Sequence, residues 1–308
     1  MKFVLSPHPH FRSPESTPRI MMTVIACLVP AGFWSLYAFG WRAGAVIAVS
    51  VLSSMAFEWL SRRFVFRNGP RLGDGSAALT GLLLAYCLPP GIPLWQVAIG
   101  AFFAVFVAKE CFGGLGQNIF NPALIGRAAL LSSFPVAMTS WQYDGVTQAT
   151  PLAILRGATG DAPPLIDLFL GRVPGSIGEV SAILLLIGGL VLLVRRVISW
   201  QIPVVFIATV AVLSPLFGRE ALREILAGGV FLGAFFMATD YVSSPIHPRG
   251  RLVFGAGCGI LTVLIRNLGA YPEGVCYSIL LMNILVPLID RYTAPRVFGT
   301  ASAKAGNA

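Results

Sequence analysis

Charge is what this sequence has least of. Only 11% of its 308 residues are Asp, Glu, Lys or Arg, against roughly 25% in an ordinary soluble domain, and 56% are hydrophobic. Together with a mean hydropathy of +0.78, this excludes a chain built of water-soluble domains. Histidine is scarce as well: His8, His10 and His247 are the only three, all near an end or in a loop. The five cysteines (Cys27, Cys87, Cys111, Cys258, Cys276) are scattered without a CxxC pair. They offer neither a zinc framework nor a disulfide scaffold, and in apolar runs a thiol behaves as a small hydrophobe. Walker A loops, a GxGxxG after a strand and HExxH are also missing. Hydrolysis, nucleotide cleavage and metal catalysis therefore lack the residues that would carry them.

What is present is membrane-spanning sequence. A span needs about 20 mostly apolar residues to cross roughly 30 Å of hydrocarbon, and apolar runs follow one another from Ile20 almost to the end. Turn and charge signals cut them into ten expected helices, at about 20–39, 42–60, 76–89, 95–110, 122–139, 181–198, 200–216, 222–239, 252–267 and 275–290. The fold class is thus an all-α polytopic membrane protein. The third to fifth helices are short or broken, by "LPPGIP" at 88–93 and by Pro135. Such half-spans survive only when buried in protein or lining a cavity. Ten spans divide into five plus five, which would make any repeat an inverted one. The recurrence of "GAFF" at 100–103 and 233–236 falls in spans running the same way and does not support it.

The first 19 residues hold four prolines and several charges but no hydrophobic core, so they form a retained arm rather than a cleavable signal. The net charge of +9 comes from Lys and Arg in short loops, a topological signal rather than a nucleic-acid one. With a cytoplasmic N-terminus, only Arg42, Arg156, Arg172, Arg219, Arg223 and Arg266 fall outside, against the other sixteen of 22 basic residues. This bias places the arm 1–19 and the tail 291–308 in the cytoplasm, flanking a membrane domain over 20–290. The connection 140–180 then faces outward.

Three polar segments interrupt the apolar sequence. "ECFGGLGQNIFNPALIGR" (110–127) combines Gly113, Gly114 and Gly116, where backbone can approach a flat ligand, with the amides of Asn118 and Asn121. Unpaired in hydrocarbon, those amides would cost several kcal/mol. They read either as a ligand or ion site or as caps of a broken helix. "RLGDGSAALTGLLLAYCLPPG" (71–91) offers Asp74, Ser76 and Thr80, the first two suited to capping, and "MATDYVSSPIHPRGR" (237–251) offers Asp240, Ser243 and Ser244. Glu58, Glu110, Arg127 and Asn283 add charge and polarity, expected mostly at the cytoplasmic ends of spans.

A fourth island, "DGVTQATPL" (144–152), lies in the outward connection. Its threonines have no nearby His or Lys to make them nucleophiles. A modification acceptor needs only to be exposed and recognisable, and Gly145 and Pro151 suit an extended turn. Asp144, Thr147, Ala149 and Thr150 match an acidic-x-x-(Ser/Thr)-x-Ala-(Ser/Thr) pattern, with Gln148 where Gly is common. "RGATG" (156–160) offers Thr159 as a rival, but Ala153 stands where the acid should be.

With "GGLGQNIFNPA" and "MATDYVSSP", this pattern resembles the D-type component of the Rnf ion-translocating electron transport complexes, a relative of the B-type component of the sodium-pumping NADH:quinone reductase. The likeness covers essentially the whole chain. It implies FMN joined to Thr150 through a phosphoester, with Asp144 and Thr147 recognised by a flavin transferase. It also implies partner subunits in a bacterial inner-membrane redox complex that moves H+ or Na+ and passes electrons between NADH and ferredoxin. The broken helices, with Gly113, Gly114, Asn118, Asn121 and Asp240, would hold a second, non-covalent flavin such as riboflavin, or an ion path. A channel or secondary transporter without cofactors, or a purely structural anchor, remains open, and a covalent flavin would separate these readings.

Overall fold

The computed structural model describes residues 15–66, 72–143, 146–158, 163–179, 181–269 and 273–295. Fourteen α-helical segments are formed among them: α1 (Thr17–Phe39), α2 (Trp41–Leu60), α3 (Ser76–Tyr86), α4 (Leu94–Phe102), α5 (Pro122–Ser133), α6 (Pro135–Met138), α7 (Pro151–Leu155), α8 (Leu165–Leu170), α9 (Ala182–Val194), α10 (Gln201–Leu213), α11 (Ala221–Leu226), α12 (Val230–Leu232), α13 (Pro248–Leu268) and α14 (Val275–Thr293). Turns of π-helix extend α2 over Ser61–Val65, α4 over Phe103–Val107 and α12 over Gly233–Met237. In the connection 140–180 a two-stranded antiparallel ladder, β1 (Gln142–Tyr143) and β2 (Val146–Thr147), pairs Gln142 with Thr147.

Five helical stretches are long and apolar enough to cross a membrane: Thr17–Phe39, Trp41–Val65, Leu94–Phe112, Pro248–Leu268 and Val275–Thr293. Ser76–Tyr86, Ala182–Val194 and Gln201–Phe217 are apolar but shorter. With lipid as apolar as leucine, helix association depends on close packing of small residues. Gly255 and Gly259 of α13 meet Ile202 and Thr209 of α10, and this rising register makes the two helices parallel. Gly81 of α3 lies on the backbone of Ser50 in α2, whose hydroxyl donates to the Gly81 carbonyl at 2.6 Å, and Gly126 of α5 sits on the Gly100 carbonyl of α4.

The interruptions expected at "LPPGIP" and Pro135 are where α3 and α5 stop. The end of α3 is closed from far along the chain: the Ile177 and Gly178 N–H groups donate to the Leu88 and Tyr86 carbonyls, both at 3.0 Å. Gly178 is required there, because a Cβ would stand 2.1 Å from the Tyr86 ring. The Tyr86 hydroxyl in turn donates to the Leu28 carbonyl of α1 at 2.7 Å.

The expected single span 222–239 is not one helix. It breaks at Ala227–Gly229, where Gly228 takes φ +71°. The guanidinium of Arg266, from α13, fills the break by donating to the Glu224 carbonyl at 2.5 Å and the Ala227 carbonyl at 3.0 Å. A cation can thus replace the lost helical N–H donors inside the protein. Nor do all the basic residues lie in loops: Arg62, Lys109, Arg127 and Arg266 are buried and ion-paired.

Candidate functional site

The polar segments converge on two separate places. The first is a cavity of about 380 Å³ walled by the start of α1, the start of α3, residues 115–123 and residues 235–242. Asn118, Asn121 and Asp240 all line it. Asn121 caps α5, its Oδ1 accepting from the Ala123 and Leu124 N–H groups, and its Nδ2 donates to the Met237 carbonyl at 3.1 Å. Asn118 donates to Asp240 at 3.4 Å, and Ser243 donates to the same carboxylate oxygen at 2.8 Å. Burial pushes the Asp240 carboxyl up, against the pull of these two hydrogen bonds. With its amide oriented to satisfy both ends, Asn283 of α14 donates to the Ser243 and Ile279 carbonyls and accepts from the Asn121 N–H. Capping and cavity lining are therefore both performed by Asn121.

Lys109 brings a charge to the cavity wall although it is only 2% exposed. Its ammonium donates to Glu58 at 2.8 Å and to the Ser76 hydroxyl at 2.7 Å, and that hydroxyl donates to Asp74. Asp74 also accepts from the Ser76 N–H at 2.9 Å, closing the start of α3. Arg62 joins Glu58 at 3.1 Å to Glu110 at 3.2 Å. Gly113 and Gly114 do not reach the cavity. They take φ +115° and +90° and carry the chain over the Arg62–Glu110 pair, with Gly116 alone of the three glycines on the wall.

All three π-turns border this region. Each closes with an i→i+5 bond, to Phe66, Ala108 and Ala238 respectively, and such turns re-aim the residues that follow them. The two "GAFF" stretches precede or enter a π-turn that leads to the cavity. The turns begin at Phe103 and Gly233, so the likeness is of place rather than register.

Thr150 belongs to the second place. Instead of standing in an exposed turn, its side chain is 5% exposed and N-caps α7, accepting from the Ala153 N–H at 3.2 Å. The reason is local: Pro151 supplies the first helical residue, so the residue before it becomes a cap. A cavity of about 20 Å³ beside Thr150 is bordered by Gly228, Glu179 and Glu273. Arg127 pairs with both acids, at 3.2 Å from Glu179. Arg127 thus serves the Thr150 side and not the Asn118–Asp240 side, whereas the charge count put it on the face opposite Thr150. The acceptor pattern's Asp144 and the rival Thr159 lie outside the described residues. Of Thr147 only the backbone is described, in β2.

Buried half-helices, a cavity walled by two broken segments and charge pairs inside an apolar bundle define a polytopic membrane protein built around internal sites, in the manner of transport and redox subunits. The pattern of the NQR2, RnfD, RnfE family matches residues 4–299, and the chain belongs to that family. It is 47% identical to the D subunit of the Na(+)-translocating ferredoxin:NAD(+) oxidoreductase complex of Acetobacterium woodii, over 99% of this chain and 98% of the relative. To the D subunit of the proton-translocating ferredoxin:NAD(+) oxidoreductase complex of Clostridium ljungdahlii it is 48% identical, over 97% and 96%. The D subunit of the ion-translocating oxidoreductase complex of Stutzerimonas stutzeri is 40% identical over 92% and 93%.

Proposed function

We propose that this chain is the D-type, flavin-carrying membrane subunit of an ion-translocating oxidoreductase complex that passes electrons between NADH and ferredoxin. The observation that carries this reading is full-length likeness to D subunits, together with an intact acceptor pattern, Asp144-x-x-Thr147-x-Ala149-Thr150, in the outer connection. The sodium- and proton-named relatives are equally similar, at 47% and 48%. Overall likeness therefore does not distinguish the coupling ion.

In this reading Thr150 carries FMN through a phosphoester, and a flavin transferase recognises Asp144 and Thr147. The ester oxygen can still accept from the Ala153 N–H. The adjoining cavity, about 20 Å³, is too small for a flavin ring, so the ring belongs outside it. The larger cavity suits a second, non-covalent flavin such as riboflavin. Its volume of about 380 Å³ falls in the usual range for small-molecule sites, and it joins apolar walls to a few fixed amides, as such sites do. Bound there, a flavin would supply one- or two-electron transfer. Asn118 and Asn121 would hold its polar edge, and Lys109 would face it with a fixed positive charge.

Ten spans in a five-plus-five arrangement, both termini in the cytoplasm and the Thr150 loop on the periplasmic side of the inner membrane complete the proposal. The repeat is supported by packing: α2 lies along α4, and α10 along α13, the same next-but-one pairing in both halves. Intact mass of the subunit, produced with and without the flavin transferase, is the test. An FMN adduct that appears only with the transferase is the expected result. A colourless, unmodified chain in an active complex would overturn the reading and favour a carrier without cofactors.

A further inference from the structure

Between the end of α9 and the starts of α10 and α13 lies a cavity of about 580 Å³ that adjoins the first across Val197, Ile198, Thr239 and Tyr241 but is lined by arginines where that one holds amides. Its wall includes Arg196, Arg251, Ser199, Ser244, Trp200 and Tyr241. Neither arginine has a salt-bridge partner among the described residues, and Arg251 spends only its Nε on the Pro245 carbonyl, at 3.1 Å. Among the described residues no acid lines this wall: Glu15 reaches Tyr241 by its charge, Asp240 is taken up by Ser243 and Asn118, and Asp290 accepts from the Ile246 N–H.

Arg196 stands at a position that suits glycine. Helix α9 ends in a Schellman turn, with Val197 N–H bonded to the Leu192 carbonyl at 2.9 Å and Arg196 N–H to the Leu193 carbonyl at 3.0 Å. This puts Arg196 at φ +57°, the left-handed region. Among the described residues nine glycines occupy positive φ, and Arg196 is the only other residue that does. Local backbone energetics favours glycine there, so the side chain is what the position retains.

We infer that this cavity is a binding site for the headgroup of an anionic phospholipid, with Arg196 and Arg251 on its phosphodiester. Charge complementarity chooses the occupant: two cations and the hydroxyls of Ser199 and Ser244 line a pocket with no acid on its wall among the described residues. Location agrees, because the pocket opens where apolar helices end. Trp200 and Tyr241 are exposed beside it, as aromatic residues are at the level of lipid headgroups. Basic pockets between spans are a recurrent way of holding such headgroups.

The test uses the purified complex containing the full chain. Phosphatidylglycerol and cardiolipin should co-purify with it and raise its thermal midpoint, whereas phosphatidylcholine and inorganic phosphate should not. Arg196→Gly removes the charge and relaxes the turn, so the variant stays folded. It should bind phosphatidylglycerol about fivefold more weakly, and Arg251→Gln should act alike. Undiminished anionic lipid in both variants would overturn the assignment. So would equal stabilisation by inorganic phosphate, or a photo-crosslinker placed at Ser199 that captures a neighbouring protein segment instead of lipid.

Discussion

Thr150→Asn separates two roles that the structure gives to one side chain. Thr150 caps α7 through its hydroxyl oxygen, and the proposed flavin ester needs that same hydroxyl. Thr150→Ala removes both, and loss of the cap alone should cost about 0.5–2 kcal/mol. Asparagine caps as well as threonine or better but offers no hydroxyl for a phosphoester. The two side chains have nearly the same volume, and the longer asparagine amide lies beside a cavity of about 20 Å³. The Asn variant should therefore keep the cap that Thr150→Ala loses, assemble more stably than that variant, and yet be devoid of in-gel flavin fluorescence after SDS denaturation. Thr150→Ser should keep cap and ester together, and Thr159→Ala should leave fluorescence unchanged. Fluorescence persisting in Thr150→Asn, or vanishing in Thr159→Ala, would refute the assignment of the acceptor.

Other consequences are open to measurement. Arg266→Met leaves the buried Glu224 carboxylate only its longer pair with Arg219, at 3.7 Å, and frees the two carbonyls of the helix break; it should destabilise the chain by up to about 3–5 kcal/mol, seen as a lower denaturation midpoint in detergent. Unchanged stability would mean that the break closes without it. Asn121→Ala should cost about 0.5–2 kcal/mol as a lost cap and also reduce non-covalent flavin content, whereas retention of all flavin would limit its role to the fold. Gly178→Ala places a methyl on the Tyr86 ring and should impair assembly. In a Cys111→Ser background, an impermeant thiol reagent should label Gln148→Cys in intact spheroplasts but Arg249→Cys only after lysis. The opposite pattern would invert the topology.

Much of the helix order was legible because lipid imposes a simple rule on composition, and breaks marked by Pro89, Pro90 and Pro135 are visible as letters. The break at Ala227–Gly229 was not. Gly228 and Gly229 look like the small residues that pack helices elsewhere in this chain, and only the guanidinium of Arg266, 39 residues from Ala227, turns them into an interruption. Arg127 was misplaced for a related reason: a charge count assigns each basic residue to the nearest loop, while pairing with Glu179 and Glu273 depends on contacts between distant segments. The convergence of Asn118, Asn121 and Asp240 followed from the amides' need for partners. Burial of Thr150 did not follow from its pattern, because the proline that suggested an exposed turn also starts a helix.

The closure of α3 bears on how the chain is made. Its 11 residues reach about 16 Å at 1.5 Å per residue, roughly half the hydrocarbon thickness. The carbonyls at its end wait for donors at Ile177 and Gly178. At a synthesis rate of about 5–20 residues per second, those donors leave the ribosome some 5–18 s later. Until then the nascent first half exposes unmatched carbonyls and cannot settle as a finished bundle in the bilayer. The end of α3 thus reaches its final packing only once the connection 140–180 has folded back against it, so the two halves mature together rather than in turn.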